Sequence, residues 1–381
     1  MLRITGYSDK YSVCPGEEIK FYVNSEKNED YQVDIVRLIH GDTNPEGPGF
    51  KEKVVRSSCN KKYKGKNQKI HGGSYGCFQH DHRMNVDSFT LQAFIFPTTP
   101  EKGIQGIITK WSEKNNTGFG MFIDEKGCLS CWIGGKKGKV ETVSSKKPLM
   151  RKVWYLAAVT FDAKTKRVRV YQVPVVTPTN GGLGLSLLHP SNSTTGTVTS
   201  SVRVIPEENN APLLMAASTR SVKSGRFLSG GMYKEAIEPF SLPEQTHLYN
   251  GKIDRPRFAN QALEKNDIDS LARGIGGCDA ELRNSIVGAW DFHENITDKI
   301  SSCQILDTSP NKINGFTVNL PARGMTGYNW TSDDIVYHHV PQEYGAIHFH
   351  DDDIDDARWE ESFAYKLPSK LRSGVYGARL R

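Results

Sequence analysis

The chain has 381 residues, 37% of them hydrophobic and 24% charged, a balance that sustains a folded core and excludes a disordered protein. Its 49 Lys+Arg against 43 Asp+Glu leave a net charge of +6, too small and too dispersed for an electrostatic nucleic-acid binder. No apolar run approaches the ~18 residues of a membrane helix, and the length favours two domains over one.

The first segment, Met1 to Tyr7, has neither the long apolar stretch nor the small-residue cleavage site of a secretory signal. Pro15-Gly16 is a turn, and Ile19–Val23 alternates as a strand. A polar turn, Asn24 to Asp30, leads to a second strand at Tyr31–Ile39. The loop His40-Gly41-Asp42-Thr43-Asn44-Pro45-Glu46-Gly47-Pro48-Gly49 is dense in turn formers. Two strands cannot bury a core. Partners are expected near the other end, where Trp359–Tyr365 alternates, Lys366-Leu367-Pro368 breaks it and Ser373–Leu380 starts another strand. Residues 1–60 and 340–381 are therefore assigned to one immunoglobulin-like sandwich, with 340 onward also serving as linker.

Between them, about 70–330, short apolar runs recur, each stopped by Gly, Pro, Asn or Asp. They are Phe89–Thr99, Gln105–Trp111, Gly118–Ile123, Leu129–Gly134, Trp154–Asp162 and Arg167–Tyr171. Their spacing predicts an antiparallel all-β sandwich. Their order resembles the concanavalin-like, laminin-G-like jelly roll. Leu213–Ala217, Asn250–Phe258, Val287–Phe292 and Gly315–Val318 read as later strands, and Thr177–Gly196 as a surface excursion. One helix is predicted, from Asn260 to Arg273 with Gly274 as its stop. The chain ends within a strand at Leu380-Arg381, as a fragment would.

Candidate chemistry is sparse. Seven widely spaced cysteines form no disulfide framework, and a reduced cytoplasmic setting is expected. Cys128 and Cys131 form a lone C-x-x-C without a second ligand pair, so a structural role is expected. The strongest metal-like cluster is His348, His350, Asp351 and Asp353, with the two histidines on one side of a predicted strand. The acidic run lacks the order of an EF-hand loop, which favours a linker paired with Arg358. A lectin-like reading would use Asp162, Asp291 and Asp307 for Ca²⁺ and Trp111, Trp154 and Trp290 for sugar stacking. The same tryptophans are equally suited to filling the core. His40, Asp42 and Asn44 are read as structural loop residues, and no catalytic residue is assigned.

The loop from His40 to Glu52 resembles the large (beta) subunit of N,N-dimethylformamidase. So do Gly103–Ile107, Tyr249–Asp254, Trp290–Phe292, Arg323–Trp330 and Pro341–His350. The resemblance implies the amino-terminal part of an amidohydrolase that splits a linear amide into amine and formate. It implies iron held by two Tyr and one Glu in a carboxy-terminal domain, none matched here, so no cofactor is expected in this chain. It further implies a small partner subunit and homo-oligomer contacts, with a scaffold role for this part. The alternative is a stand-alone module binding carbohydrate or protein.

Overall fold

The computed structural model describes residues 3–175, 196–228, 240–294, 296 and 303–381. The chain divides into two compact units. One joins Met1–His71 to Asp356–Arg381, and the other is Gly72–Asp355, inserted between those two segments.

In the smaller unit, Glu18–Ser25 is flanked by Ile4–Ser8 and Phe363–Lys366, while Tyr31–His40 lies between Val375–Leu380 and Lys51–Val54. The two ends of the chain meet in register: Phe21 stands opposite Phe363, and Val33 opposite Leu380. Apolar residues on alternate positions explain the pairing. Val23, Val33 and Ile35 turn inward and are buried with Phe363 and Tyr365. Phe21 and Phe363 stack at 4.8 Å between ring centroids. The architecture is the immunoglobulin-like sandwich expected from both termini.

The larger unit is a jelly-roll sandwich. Among the described residues one sheet has ten strands and runs, along its main path, Val140–Pro148, Cys128–Gly134, Thr117–Ile123, Gln105–Ser112, Leu213–Met215, Tyr75–Phe78, Gly315–Val318 and Gln304–Ile305. The other, of eight strands, runs Gly196–Ser201, Arg167–Pro174, Tyr155–Asp162, Phe89–Pro97, Gly251–Ala259, Ala346–Phe349 and Ala322–Met325, with Ile286–Ala289 beside Gly251–Ala259. Leu91, Ala93 and Ile95 face the inter-sheet core together with Met121, Leu129, Cys131 and Val159. Their neighbours Phe94, Leu156 and Ala158 are buried on the opposite face, against Ile268, Leu271 and Leu282 of two helices. Burial on both faces is why these strands read as near-continuous apolar runs.

Two expectations need correction. The helix is shorter, Lys265–Arg273, and a second short helix follows at Ala280–Ser285. Asp279 caps that second helix by accepting the Leu282 N–H at 2.8 Å. The stretch from 340 to 355 is not a linker: Ala346–Phe349 pairs with Gly251–Asp254 and belongs to the larger unit. Its Ile347 and Phe349 drop into the inter-sheet core, which holds it there. All but the last residue of Thr177–Gly196 lies outside the described residues; Gly196 opens a strand.

Candidate functional site

Buried ionisable side chains concentrate on the outer face of the eight-stranded sheet, along Gly251–Ala259. In this strand Ile253 and Phe258 point into the inter-sheet core. Alternation therefore sends Lys252 and Asp254 to the other side. There they are 7% and 1% exposed, far more buried than such groups usually are. A register shift between Asp254 and Arg257 re-aims the strand, with Arg255 at φ +46°. Arg257 is fully buried, donating to the Trp290 carbonyl at 2.9 Å and to Asp291 at 2.6 Å.

What covers this face is the segment after Met325. The Lys252 ammonium donates to the Thr326 hydroxyl at 2.7 Å and to its carbonyl at 3.2 Å. It also lies 5.2 Å from the centre of the Phe96 ring. Asp254 Oδ2 accepts the Tyr328 N–H at 3.3 Å. The Tyr328 ring stacks on Phe94 at 3.4 Å, and its hydroxyl accepts from Arg255 at 2.9 Å. Gly327 permits the approach, since a Cβ there would come within 2.5 Å of Asp254 Oδ2.

The electrostatics follow from burial. Loss of water pushes the Lys252 ammonium down to about 8, with Asp254 opposing the shift. Burial raises the Asp254 carboxyl to about 6, against the pull of Arg255. Its Oδ1 meets no hydrogen-bond donor among the described residues. His348, paired across the sheet with Lys252, is pushed down to about 4 by burial first and by His350 and Lys252 next. Such shifted groups attract attention as acid or base candidates. Here Lys252 and Asp254 spend hydrogen bonds on the 326–328 backbone, a clamp holding one segment to a sheet.

The candidates proposed from sequence fall at several places. His348 and His350 do share a side, with ring centroids 4.0 Å apart. Of the four metal-like residues, His350 also reaches Asp353, whereas Asp351 is engaged elsewhere. His350 Nδ1 lies 3.2 Å from Asp353, whose carboxylate also accepts from Ser74 at 2.7 Å. Asp351 is taken by Lys102 at 2.5 Å and Asn250 at 2.6 Å. Among the described residues no three His, Cys, Asp or Glu side chains are arranged to hold a metal ion. In the smaller unit, His40 Nδ1 lies 3.0 Å from the Gly49 carbonyl and 3.3 Å from the Asp42 amide. Asp42 accepts the Asn44 N–H at 2.8 Å, and Asn44 the Glu46 N–H at 3.1 Å, so the loop folds upon itself. Trp111, Trp154 and Trp290 are at most 1% exposed and cannot stack on a sugar. Asp162 closes a turn onto Thr165, Asp291 pairs with Arg257, and Asp307 accepts from Ser309.

Sequence reasoning missed Lys252, Asp254 and the half-buried Trp132. The available signal was the alternation Lys252-Ile253-Asp254, which places two charges on one face of a strand whose neighbours are apolar on both.

Comparison with known proteins adds whole-chain information. A protein from Paracoccus aminophilus, the N,N-dimethylformamidase beta subunit, is 34% identical over 389 aligned positions, covering 100% of this chain and 47% of its own length. The chain resembles the amino-terminal part of an N,N-dimethylformamidase beta subunit. The Alcaligenes sp. dimethylformamidase beta subunit is 33% identical, again over 100% of this chain and 47% of that protein. The chain thus spans about half the length of the dimethylformamidase subunits it matches. The family described as N,N-dimethylformamidase beta subunit-like, C-terminal, matches residues 322–381, and the concanavalin A-like lectin/glucanases superfamily matches 71–183. Among solved structures, the CBM40 of Ruminococcus gnavus IT-sialidase aligns with a TM-score of 0.35 and 12% identity, over 55% of this chain and 97% of that one.

Proposed function

We propose that this chain is the scaffold region of a dimethylformamidase-like amidohydrolase subunit, and that it contributes folding, subunit contacts and support rather than the reacting groups. The observation that carries this is the whole-length likeness to a subunit about twice as long. Support comes from the use made of Lys252 and Asp254, which bind the 326–328 segment. In this reading the amide-splitting centre lies in the portion of the subunit outside these residues. A small subunit and further copies of the large one are its partners, in a cytoplasmic enzyme. Iron in that centre would act as Lewis acid on the amide carbonyl and on water. The donor sets described here do not fit such an ion, so no step is routed through these side chains.

The test is direct. The purified chain, supplied with ferrous iron, is expected to release no dimethylamine from dimethylformamide beyond the buffer rate. Turnover that a point substitution within this chain abolishes would overturn the proposal.

A further inference from the structure

A groove of about 730 Å³ lies on the outer face of the ten-stranded sheet, across Cys128–Gly134 and Val140–Pro148. Its floor follows from alternation. Leu129, Cys131 and Ile133 point into the inter-sheet core, so Ser130 and Trp132 point out. Cross-strand register sets Thr142 beside Trp132 and Ser144 beside Ser130. The face is thus an indole and a row of small hydroxyl side chains.

The indole is held in place. One of its faces stacks on Phe122 at 4.6 Å, and Trp111 meets it edge-on at 5.8 Å. Its N–H donates to Ser130 Oγ at 3.1 Å. Gly120, opposite Trp132, leaves space for Phe122 to lie flat, since a Cβ there would come within 2.6 Å of that ring. The indole is half-buried and lines the groove. At the groove's end, Asp124 accepts the Ser144 hydroxyl at 2.8 Å and the amides of Lys126 and Cys128 at 2.9 Å each, which fixes its carboxylate. The charged lining balances, with Asp124 and Glu125 against Lys126 and Lys146.

We propose that this groove is a binding site for a neutral saccharide, with Trp132 as the stacking platform. A pyranose ring offers an apolar C–H face to an indole and hydroxyls to its surroundings. Thr142 supplies a donor and acceptor beside the platform, the Ser144 oxygen and the Asp124 carboxylate supply acceptors, and Lys126 and Lys146 supply donors at the rim. Balanced charge disfavours an ionic ligand, and the volume is ample for one or more pyranose rings. Rigidity matters, because an indole already fixed by Phe122 and Ser130 loses little freedom when a ring settles on it. The site is separate from amide hydrolysis, so its failure leaves the scaffold reading as it stands.

The experiment titrates the full chain with cello-, malto-, laminari- and mannohexaose, using sialyllactose as a charged control and tryptophan fluorescence and calorimetry as readouts. Saturable binding of a neutral hexaose is expected. Trp132→Ala and Thr142→Arg should each weaken it about tenfold or more, and Trp132→Phe less. Thr142 is exposed, so Thr142→Arg fills the groove without removing packing and keeps the test valid if Trp132→Ala unfolds. Three outcomes overturn the proposal. One is no binding of any neutral hexaose up to about 10 mM, a weak limit even for sugars. Another is binding that both variants leave unchanged. The third is self-association of the chain that Thr142→Arg abolishes while no sugar binds, which would give the face to a second copy.

Discussion

Lys252 and His348 stand directly opposite each other on adjacent antiparallel strands, two groups that would both be cationic in acid. Burial first, then His350 and Lys252, keep His348 neutral until about pH 4. In the unfolded chain a histidine takes its proton near pH 6.5. Between those values the unfolded state binds more protons, so stability falls as pH drops through the window. His348→Phe should flatten that fall, by up to about 2 kcal/mol once the partial exposure of the ring is allowed for. Urea melts of both proteins between pH 7 and 4 check this, and parallel curves would count against it.

Asp254 gives the opposite slope. Its folded carboxyl is raised to about 6 from an ordinary 3.8, so the folded state holds the extra proton and stability declines as pH rises from 4 to 6. Asp254→Asn keeps an oxygen for the Tyr328 N–H and removes the titration. The variant should gain on the parent as pH climbs through 6, seen as a widening difference in denaturant midpoint. A difference that stays constant would refute the assignment.

Gly327→Ala should loosen the clamp. The added methyl group would sit 2.5 Å from Asp254 Oδ2 and 3.0 Å from Asn329 Oδ1, so one partner must move. Overpacking of this kind costs about 1–3 kcal/mol. Hydrogen exchange should quicken at residues 326–330 and 343–346 first. Uniform protection with unchanged stability would mean the segment adjusts freely.

Deleting residues 357–381 should unravel the smaller unit and spare the larger. The deletion removes both carboxy-terminal strands, and with them Phe363, whose loss alone should cost about 3–5 kcal/mol as a buried aromatic. Exchange should rise at Ile19–Val23 and Tyr31–Ile39, with Phe89–Pro97 unaffected. Undiminished protection of the two amino-terminal strands would show that they find their stability elsewhere.

His40→Ala in a full-length relative of this chain should lower stability or assembly while keeping activity per folded oligomer within about tenfold, because loss of a general base typically costs about 10²–10⁴. The loop's own hydrogen bonds to Gly49 and Asp42 motivate this. A well-assembled variant with a larger loss and a shifted pH profile would place the loop at the reacting centre.

Strands such as Phe89–Pro97, Gln105–Ser112 and Tyr155–Asp162 are legible because burial on one or both faces demands apolar and β-branched residues along them. Val140–Pro148 and Gly196–Ser201 are not, and among the described residues both are terminal strands of their sheets. With few buried positions they are free to be Ser-, Thr- and Lys-rich, a composition shared with loops. Ala346–Phe349 was legible as a strand but not as a member of the larger unit, since its partner is about a hundred residues away in Gly251–Ala259. Buried Lys252 looks in sequence like any surface lysine. Only the covering segment, with Thr326 and Tyr328, makes it distinctive.

The insertion of Gly72–Asp355 into the smaller unit sets an order of events during synthesis. Strands Glu18–Ser25 and Tyr31–His40 leave the ribosome early, yet their partners Phe363–Lys366 and Val375–Leu380 emerge only after the whole insert. At about 5–20 residues per second the wait is roughly 15–60 s. The insert can complete its own core in that interval, while the early strands keep apolar faces and unpaired edges open. They are the part of the nascent chain most in need of a holding chaperone, and the place where a translational pause would do most harm.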